Sequence, residues 1–205
     1  MERDWEQWYR EGNTPWDKGA ASPPLMELKE RRGLEIWGGG VVLVPGCGTG
    51  HDVRAIAAGG VEVLGVDVAP SAVKQARLYE AAGQERYEVA DFLGVDWPGG
   101  RVFSAIWEHT CFCAIPPGRR GDYAAAAARS LESGGYLAGV FYLEPWDAGE
   151  ERDGPPHGVT VNEIEECFSA YFELVEGWVP GRAYPGREGR EWTGLFRRLS
   201  KIQRI

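Results

Sequence analysis

A glycine-rich turn, Gly46-Cys47-Gly48-Thr49-Gly50, follows a short β-branched run at residues 41–45. Glycines let a backbone turn tightly and approach a ligand, and a helix that begins after such a turn offers free N–H groups. The dinucleotide fingerprint GxGxxG would need a glycine at position 51, where this sequence has His51, and the sequence contains no GxxxxGK[ST] phosphate loop. A bulky pyrophosphate is therefore not the favoured ligand.

Acidic residues further along would complete a pocket for a nucleoside. Asp67 ends the second predicted strand, where its carboxylate can accept hydrogen bonds from both ribose hydroxyls. Asp91 and Phe92 end the third predicted strand, so that an acid able to accept from an adenine amino group stands beside a ring able to lie on the base. A glycine turn and two acids without phosphate ligands fit S-adenosylmethionine.

Strand and helix signals alternate along the chain and must bring these residues together. The predicted strands cover residues 41–45, 61–68, 87–90, 102–107, 136–143, 172–178 and 191–199, and the predicted helices cover residues 52–58, 69–82, 119–131 and 161–170. This alternation predicts an α/β fold with a mostly parallel sheet and helices on both faces. Ligands of such sheets bind beyond the carboxyl ends of the strands, where the strand order reverses. The fourth strand delivers Glu108 and His109 to that edge.

Composition and charge exclude several function classes. The chain has 205 residues, with 31 acidic and 22 basic side chains and a net charge of -9, and it lacks the basic runs with which nucleic-acid binders displace counterions. Its longest apolar stretch, residues 136–143, is far shorter than the roughly 20 residues that span a bilayer, and the N-terminus has no apolar signal-peptide region. We therefore predict one cytoplasmic domain over residues 1–205, without nucleic-acid or membrane partners.

The four cysteines do not predict a metal site. Cys47, Cys111, Cys113 and Cys167 are too few and too irregularly spaced for a disulfide framework. The sequence has no CxxC pair and only three His residues, so we expect reduced thiols and no bound metal.

Specific strings recur along nearly the whole chain. They are Gly12–Gly19 with Pro23-Pro24-Leu25, Val44–Arg54, Gly65–Pro70, Glu108–Ile115 and Gly154-Pro155-Pro156, of which PGCGTGHD and TPWD are the most specific. Together they resemble the thiopurine methyltransferase-like family of class I methyltransferases, within its bacterial and plant branch of thiol and halide methyltransferases. The resemblance implies a Rossmann-like fold whose seven-stranded, mostly parallel sheet has an antiparallel last strand, and it implies a monomer.

The resemblance also gives a role to the tryptophan-rich N-terminus. It implies that residues 1–35 cover the cofactor, with Trp8, Trp16 and, less directly, Trp5 at positions that contact S-adenosylmethionine or cover its methionine end. An aromatic face attracts a cationic sulfonium by a cation–π interaction. The alternative is that these side chains only dock an N-terminal helix onto the core.

The same resemblance implies the set of cofactor-binding residues. They are Trp5, Trp8, Trp16, Gly46, Cys47, Gly48, Asp67, Val68, Asp91, Phe92, Glu108 and His109. His109 is also the predicted catalytic residue, because it follows the fourth strand, where class I methyltransferases put acceptor-facing groups, and an imidazole can take a proton near neutral pH. The alternative is a structural histidine that bonds the cofactor or the loop.

The predicted reaction transfers a methyl group from S-adenosylmethionine, leaving S-adenosylhomocysteine, to a small soft nucleophile, foremost a thiol or sulfide sulfur. A thiol is mostly protonated at pH 7 and gains from a nearby base or cation. Halide, a selenium or tellurium species and a small-molecule nitrogen or oxygen remain open as acceptors. Two other classes also remain open, an NAD-linked oxidoreductase and a non-catalytic S-adenosylmethionine-binding module.

Five further residues are candidates for the acceptor side. Tyr9, Tyr142 and Trp146 offer aromatic rings that could line an acceptor pocket. Arg187 and Arg190 could reach an anionic acceptor, although we expect both on a solvated face.

Overall fold

One seven-stranded sheet forms the centre of the computed structural model, which describes residues 4–147, 149–150 and 154–200. The strands are β1 Val42–Pro45, β2 Glu62–Asp67, β3 Gln84–Val89, β4 Phe103–His109, β5 Leu131–Tyr142, β6 Phe172–Trp178 and β7 Glu191–Arg198. Their spatial order is β3-β2-β1-β4-β5-β7-β6. All neighbouring pairs are parallel except those of β7, which runs antiparallel to β5 and β6. The predicted sheet, mostly parallel with an antiparallel last strand, is confirmed.

Helices cover both faces of this sheet, as predicted. Within the described ranges they are α1 Trp5–Glu11, α2 Pro23–Arg32, α3 His51–Ala57, α4 Pro70–Ala76, α5 Arg120–Ser130 and α6 Val161–Ser169. One core layer packs α5 and α6 against the sheet, and the other packs α2 and α3 against the opposite face. Strands buried on both faces form continuous apolar runs, which is why all four residues of β1 are apolar and buried.

Four elements differ from the predicted bounds by more than one residue at an end. Strand β3 begins at Gln84 instead of residue 87, and β5 begins at Leu131 instead of residue 136. Strand β4 continues to His109 because Glu108 and His109 pair with Gly139 and Val140 of β5. Helix α4 ends at Ala76 instead of residue 82, and the side chain of Leu78 just beyond it is exposed. Residues 77–82 therefore bury little apolar surface that would hold them against the sheet as a helix.

No helix in the described part of the chain is both long and apolar enough to traverse a membrane.

Candidate active site

The turn between β1 and α3 lies at the carboxyl edge of the sheet, where the strand order reverses on either side of β1. Gly46, Gly48 and Gly50 have φ angles of 58°, 53° and 78°, in the left-handed region that favours glycine. A Cβ on Gly46 would lie 2.8 Å from Sγ of Cys111, and one on Gly48 would lie 2.8 Å from the hydroxyl of Tyr9. Both the backbone conformation and the available space therefore require glycine at positions 46 and 48.

Asp67 ties this turn to the end of β2. Its carboxylate accepts hydrogen bonds from the backbone N–H of Gly48 and of Ala69, each at 2.9 Å. The N–H of Cys47 donates to the carbonyl of Val66 at 3.0 Å, which adds a second link to β2. Burial raises the pKa of Asp67, and the backbone hydrogen bonds oppose that rise. Each carboxylate oxygen can accept more than one hydrogen bond, so Asp67 retains capacity for the hydroxyls of a ribose.

Val68 and Asp91 lie at the tips of β2 and β3. The side chain of Val68 is half exposed, and Asp91 is exposed. One carboxylate oxygen of Asp91 accepts from the N–H of Leu93 at 2.9 Å, and the N–H of Ala90 donates to the carbonyl of Asp67 at 3.0 Å. The two acids predicted to hold ribose and adenine thus stand at neighbouring strand ends.

Phe92 and Glu108 point into the core. The ring of Phe92 packs 5.1 Å from the ring of Tyr123, centroid to centroid, so it lies inside the protein instead of on an open face. Glu108 is fully buried and accepts hydrogen bonds from the N–H of Phe112 at 2.7 Å and from the Tyr123 hydroxyl. Burial raises the pKa of Glu108 to about 7. The cofactor contacts predicted for these two side chains stay predictions.

An aromatic cluster forms the inner side of the N-terminal segment, defined here as residues 4–35; residues 1–3 of the predicted cover lie outside the described residues. The ring of Trp16 lies 5.4 Å from Trp5, 5.5 Å from Trp8 and 5.9 Å from Tyr9, centroid to centroid. The indole N–H of Trp16 also donates to the hydroxyl of Tyr9 at 3.1 Å. The cluster packs on Ala69, two residues after the end of β2, so it stands close to Asp67.

Polar contacts fasten the N-terminal segment to the site at two places. The Glu6 carboxylate accepts from the N–H of Ser71 at 2.8 Å and from its hydroxyl at 2.7 Å, at the start of α4. Asp17 accepts from the hydroxyl of Thr49 at 2.7 Å and lies 3.2 Å from Nε2 of His51. The contact with His51 is the main cause that lowers the pKa of Asp17. His51 begins α3 and thereby links the segment to the helix that follows the glycine turn.

His109 lies at the end of β4, on the face that α3 covers. Its Nδ1 is 3.5 Å from a carboxylate oxygen of Asp52, and that carboxylate also accepts from the indole N–H of Trp107 at 2.7 Å and from the N–H of Ser22 at 2.6 Å. Nε2 of His109 is buried with no hydrogen-bond partner among the described residues. Burial is the main cause that lowers the pKa of His109 to about 4. The positive charge of Arg187 lowers this pKa further, whereas the negative charge of Asp52 raises it. The imidazole is therefore neutral at pH 7, and a proton on Nδ1 leaves Nε2 as an acceptor.

The side chain of Arg187 is largely buried, so the expectation of a solvated face was wrong for it. Its side chain is 11% exposed, and Nη1 lies 3.1 Å from Oε1 of Glu191. Its guanidinium carbon stands 4.7 Å from the ring centroid of Tyr142. Arg190 pairs with Asp147 and is more exposed. Burial of Arg187 follows from the β6–β7 loop, which folds back over the carboxyl edge of the sheet.

Tyr184 of the same loop closes this side of the site. Its ring lies 6.0 Å from the imidazole of His109, and its hydroxyl donates to the carbonyl of Ala20 at 2.7 Å. The loop that carries Arg187 is therefore bonded directly to the N-terminal segment.

Sequence reasoning missed several residues that build the site. They are Glu6, Asp17, Asp52, Tyr184 and Glu191. Asp17 and Asp52 stand inside the specific strings TPWD and PGCGTGHD, which could have marked them. The other three are brought to the site by tertiary contacts, for which the local sequence carries no signal.

The residues present fit a nucleoside with a cationic sulfonium. The glycine turn allows close approach, Asp67 offers a carboxylate for hydroxyls, and the cluster of Trp5, Trp8 and Trp16 offers aromatic faces. The family model described as "Thiopurine S-methyltransferase (TPMT)" matches residues 1–179. The chain belongs to the thiopurine S-methyltransferase family. As a member of it, the chain is an S-adenosylmethionine-dependent methyltransferase.

Individual relatives of the family resemble nearly the whole chain. A probable thiol methyltransferase 2 of Arabidopsis thaliana is 33% identical over 96% of this chain and 85% of its own length. Thiocyanate methyltransferase 1 of the same plant is 33% identical over 97% of this chain and 86% of its own length. The solved structure of 1,6-didemethyltoxoflavin-N1-methyltransferase of Burkholderia thailandensis, with bound S-adenosylhomocysteine, has a TM-score of 0.68 at 21% identity and covers 94% of this chain and 84% of that one. The last similarity supports the fold.

Proposed function

We propose that this methyltransferase acts on the sulfur of a small thiol or of sulfide. One observation carries the proposal: a buried, neutral His109 with an unpartnered Nε2 among the described residues, close to the buried guanidinium of Arg187. Such a pair suits an acceptor that gives up a proton as it becomes a nucleophile. The names of the thiol and thiocyanate methyltransferases that are 33% identical to this chain support a sulfur acceptor.

The cofactor residues serve binding and alignment in this proposal. Asp67 holds the ribose, Asp91 the adenine amino group, and Gly46, Cys47, Gly48 and Val68 form the floor beneath them. Bound S-adenosylmethionine supplies a methyl group whose leaving group is already activated. The protein has to align the acceptor and exclude water, and such alignment is worth on the order of 7 to 11 kcal/mol.

The N-terminal segment excludes water in this proposal. Trp5, Trp8 and Trp16 face the sulfonium, while Glu6 and Asp17 hold the segment to α4 and to the glycine turn. In the alternative, the tryptophans only dock the segment, and binding of S-adenosylmethionine would then depend on them no more than binding of S-adenosylhomocysteine.

His109 is the proposed catalytic residue. Nε2 accepts the proton of the thiol as the sulfur attacks, and the Asp52 carboxylate, 3.5 Å from Nδ1, stabilises the imidazolium that forms. Below pH 4 the imidazole would already hold a proton, and the base would be lost. A single protein domain, a monomer, a cytoplasmic location and the lack of nucleic-acid and membrane partners stay predictions.

Two measurements test the proposal. Headspace gas chromatography measures the methylated products formed from sulfide, methanethiol, an aromatic thiol and iodide. At pH 8 we expect a higher kcat/KM for the sulfur acceptors than for iodide. If the enzyme methylates none of the sulfur compounds, the proposal is contradicted.

His109→Ala should slow methylation of a thiol more at pH 6.5 than at pH 9, because a thiol that is already ionised needs no base. An equal loss at both pH values would remove the role of His109 as a base.

A further inference from the structure

Arg187 forms a largely buried ion pair with Glu191, a carboxylate that has no task in the proposed methyl transfer. The side chains of Arg187 and Glu191 are 11% and 1% exposed, and Nη1 and Oε1 lie 3.1 Å apart. A buried pair gives up the hydration of both charges, so it is a weak source of stability. The guanidinium also stands 4.7 Å from the ring of Tyr142 and 5.7 Å from that of Tyr184, whose own ring faces His109. The pair thus lies within the proposed acceptor site.

Three buried polar atoms next to this pair lack partners within the described ranges. They are Oε2 of Glu191, Nε2 of His109 and Oγ1 of Thr193. In the sheet, Val140 of β5 pairs with His109 of β4 and with Thr193 of β7. Tyr142, two residues after Val140, pairs with Glu191. Side chains of one cross-strand row, and of every second residue along a strand, share a face of the sheet. Buried polar atoms without protein partners mark a place where a ligand or water completes the hydrogen bonding.

Charged and titratable groups approach Glu191 from three elements. They are Arg187, Glu188 and Tyr184 of the β6–β7 loop, Tyr142 of β5 and Cys113 of the segment after β4. Burial is the main cause that raises the pKa of Glu191, Glu188 adds to the rise, and Arg187 opposes it. A further negative charge at this place would raise that pKa again.

We propose that Arg187 and Glu191 form a charge-compensated acceptor subsite, in which a small anion binds to Arg187 only as Glu191 takes up a proton, whereas an uncharged thiol binds without one. The proposal rests on the proposed function, because it sorts acceptors within the same site. The guanidinium and the carboxylate sum to zero charge, and an anion on Arg187 would stand beside the carboxylate of Glu191, whose repulsion acts whether or not the cofactor carries a sulfonium. Charges this close repel strongly where water is excluded, and one proton on Glu191 restores neutrality.

The proton balance closes over one turnover. An anionic acceptor takes one proton from solvent onto Glu191 when it binds. Its electron pair forms the bond to the methyl carbon as the bond from that carbon to the sulfonium sulfur breaks, which gives a neutral methylated product. The proton on Glu191 then returns to solvent when the product leaves.

Thiocyanate, a permanent anion, is the probe for the first experiment. Calorimetry on the complex of the wild-type enzyme with S-adenosylhomocysteine, at pH 6 and pH 8 and in two buffers of different protonation enthalpy, measures affinity and proton uptake together. We expect tighter binding at pH 6, by up to about tenfold per pH unit above the pKa of Glu191, with uptake approaching one proton. Binding without pH dependence and without proton uptake would overturn the proposal.

Variants assign the proton to a residue. Glu191→Gln keeps an oxygen that can accept from Arg187, and it should bind thiocyanate at pH 8 about tenfold more tightly or better, lose the proton uptake and raise the ratio of kcat/KM for iodide over ethanethiol by a similar factor. Glu165→Gln, at an exposed position of α6, removes one negative charge away from the subsite; it is the matched control and should behave as wild type. Proton uptake that persists in Glu191→Gln would assign the proton elsewhere, for instance to His109, and contradict the proposal.

The two proposals fail in different measurements. If wild type methylates no sulfur acceptor, the proposed function fails, while proton-linked thiocyanate binding still reports on the subsite. If thiols are methylated but thiocyanate binds without a proton, only the subsite fails. Circular dichroism shows whether Glu191→Gln folds. If this variant does not fold, the proton uptake of the wild-type enzyme on thiocyanate binding decides whether the subsite proposal holds.

Discussion

Glu108 and His109 are consecutive residues whose pKa values are shifted in opposite directions. Adjacent residues of a strand point to opposite faces, so Glu108 enters the core beside Phe112 and Tyr123, and His109 enters the site beside Asp52. Burial favours the neutral form of both, which raises the pKa of the acid to about 7 and lowers that of the base to about 4. Near pH 6 both side chains are therefore largely uncharged.

Stability should depend on pH through Glu108. The folded state holds the proton of Glu108 up to a pKa of about 7, whereas the unfolded chain loses it near the ordinary value. This group therefore stabilises the folded state below pH 7, and that contribution is lost as the pH rises through 7. Relative to Glu108→Gln, we expect wild type to gain about 1 kcal/mol of unfolding free energy between pH 8.5 and pH 6, measured by urea denaturation.

The control for this experiment is Glu132→Gln, at an exposed position early in β5, which should not change with pH in this way. A constant difference between wild type and Glu108→Gln would mean that the Glu108 proton is not retained on folding.

At the level of single residues, sequence reasoning could find what a local string encodes. The glycines at 46 and 48 and the strand-end Asp67 stand in continuous motifs, and the structure brings them into contact. Glu191 and Tyr184 could not be found in this way. Their places depend on how the β6–β7 loop folds back, which is a matter of tertiary packing.

The N-terminal segment is the element on which cofactor affinity should depend most. If Trp16 attracts the sulfonium, Trp16→Leu should weaken binding of S-adenosylmethionine about 5- to 30-fold, because a cation–π contribution of about 1 to 2 kcal/mol is lost. S-adenosylhomocysteine carries no sulfonium charge, so its affinity should fall less. Calorimetry with both ligands gives the comparison.

Tyr171→Leu, an aromatic residue that packs on the core layer of α5 and α6, is the matched variant for this measurement. Its affinities for both ligands should stay near those of wild type. If Trp16→Leu weakens binding of the two ligands equally, the tryptophans dock the segment and do not recognise the sulfonium charge.

Element boundaries show where sequence patterns stop being sufficient. The alternation of strands and helices predicts the sheet and the core helices, because apolar periodicity reflects which faces are buried. It predicts α4 as far as residue 82, although the helix ends at Ala76, since local propensity does not show that Leu78 finds no core to pack on. It also stops β4 at residue 107, because only pairing with β5 extends the strand through polar residues.

On the scale of the whole molecule, ligand binding should raise thermal stability. A ligand that binds only the folded state adds about 2.7 kcal/mol at a concentration of 100 Kd, which for a chain of this size raises Tm by about 5 to 10 °C. We expect this shift with S-adenosylhomocysteine in scanning calorimetry. Asp67→Asn should show little of it at the same ligand concentration, because Asp67 is the proposed ribose acid. A full shift in Asp67→Asn would remove that role.

Residues 17–22 touch both halves of the active site. On one side Asp17 accepts from Thr49 of the glycine turn, and on the other the carbonyl of Ala20 accepts from Tyr184 of the loop that carries Arg187. One short stretch of chain therefore contacts the methyl donor's side and the acceptor's side at once. Thermodynamic linkage makes the consequence symmetrical: if a bound donor orders this stretch and raises acceptor affinity by some factor, a bound acceptor raises donor affinity by the same factor.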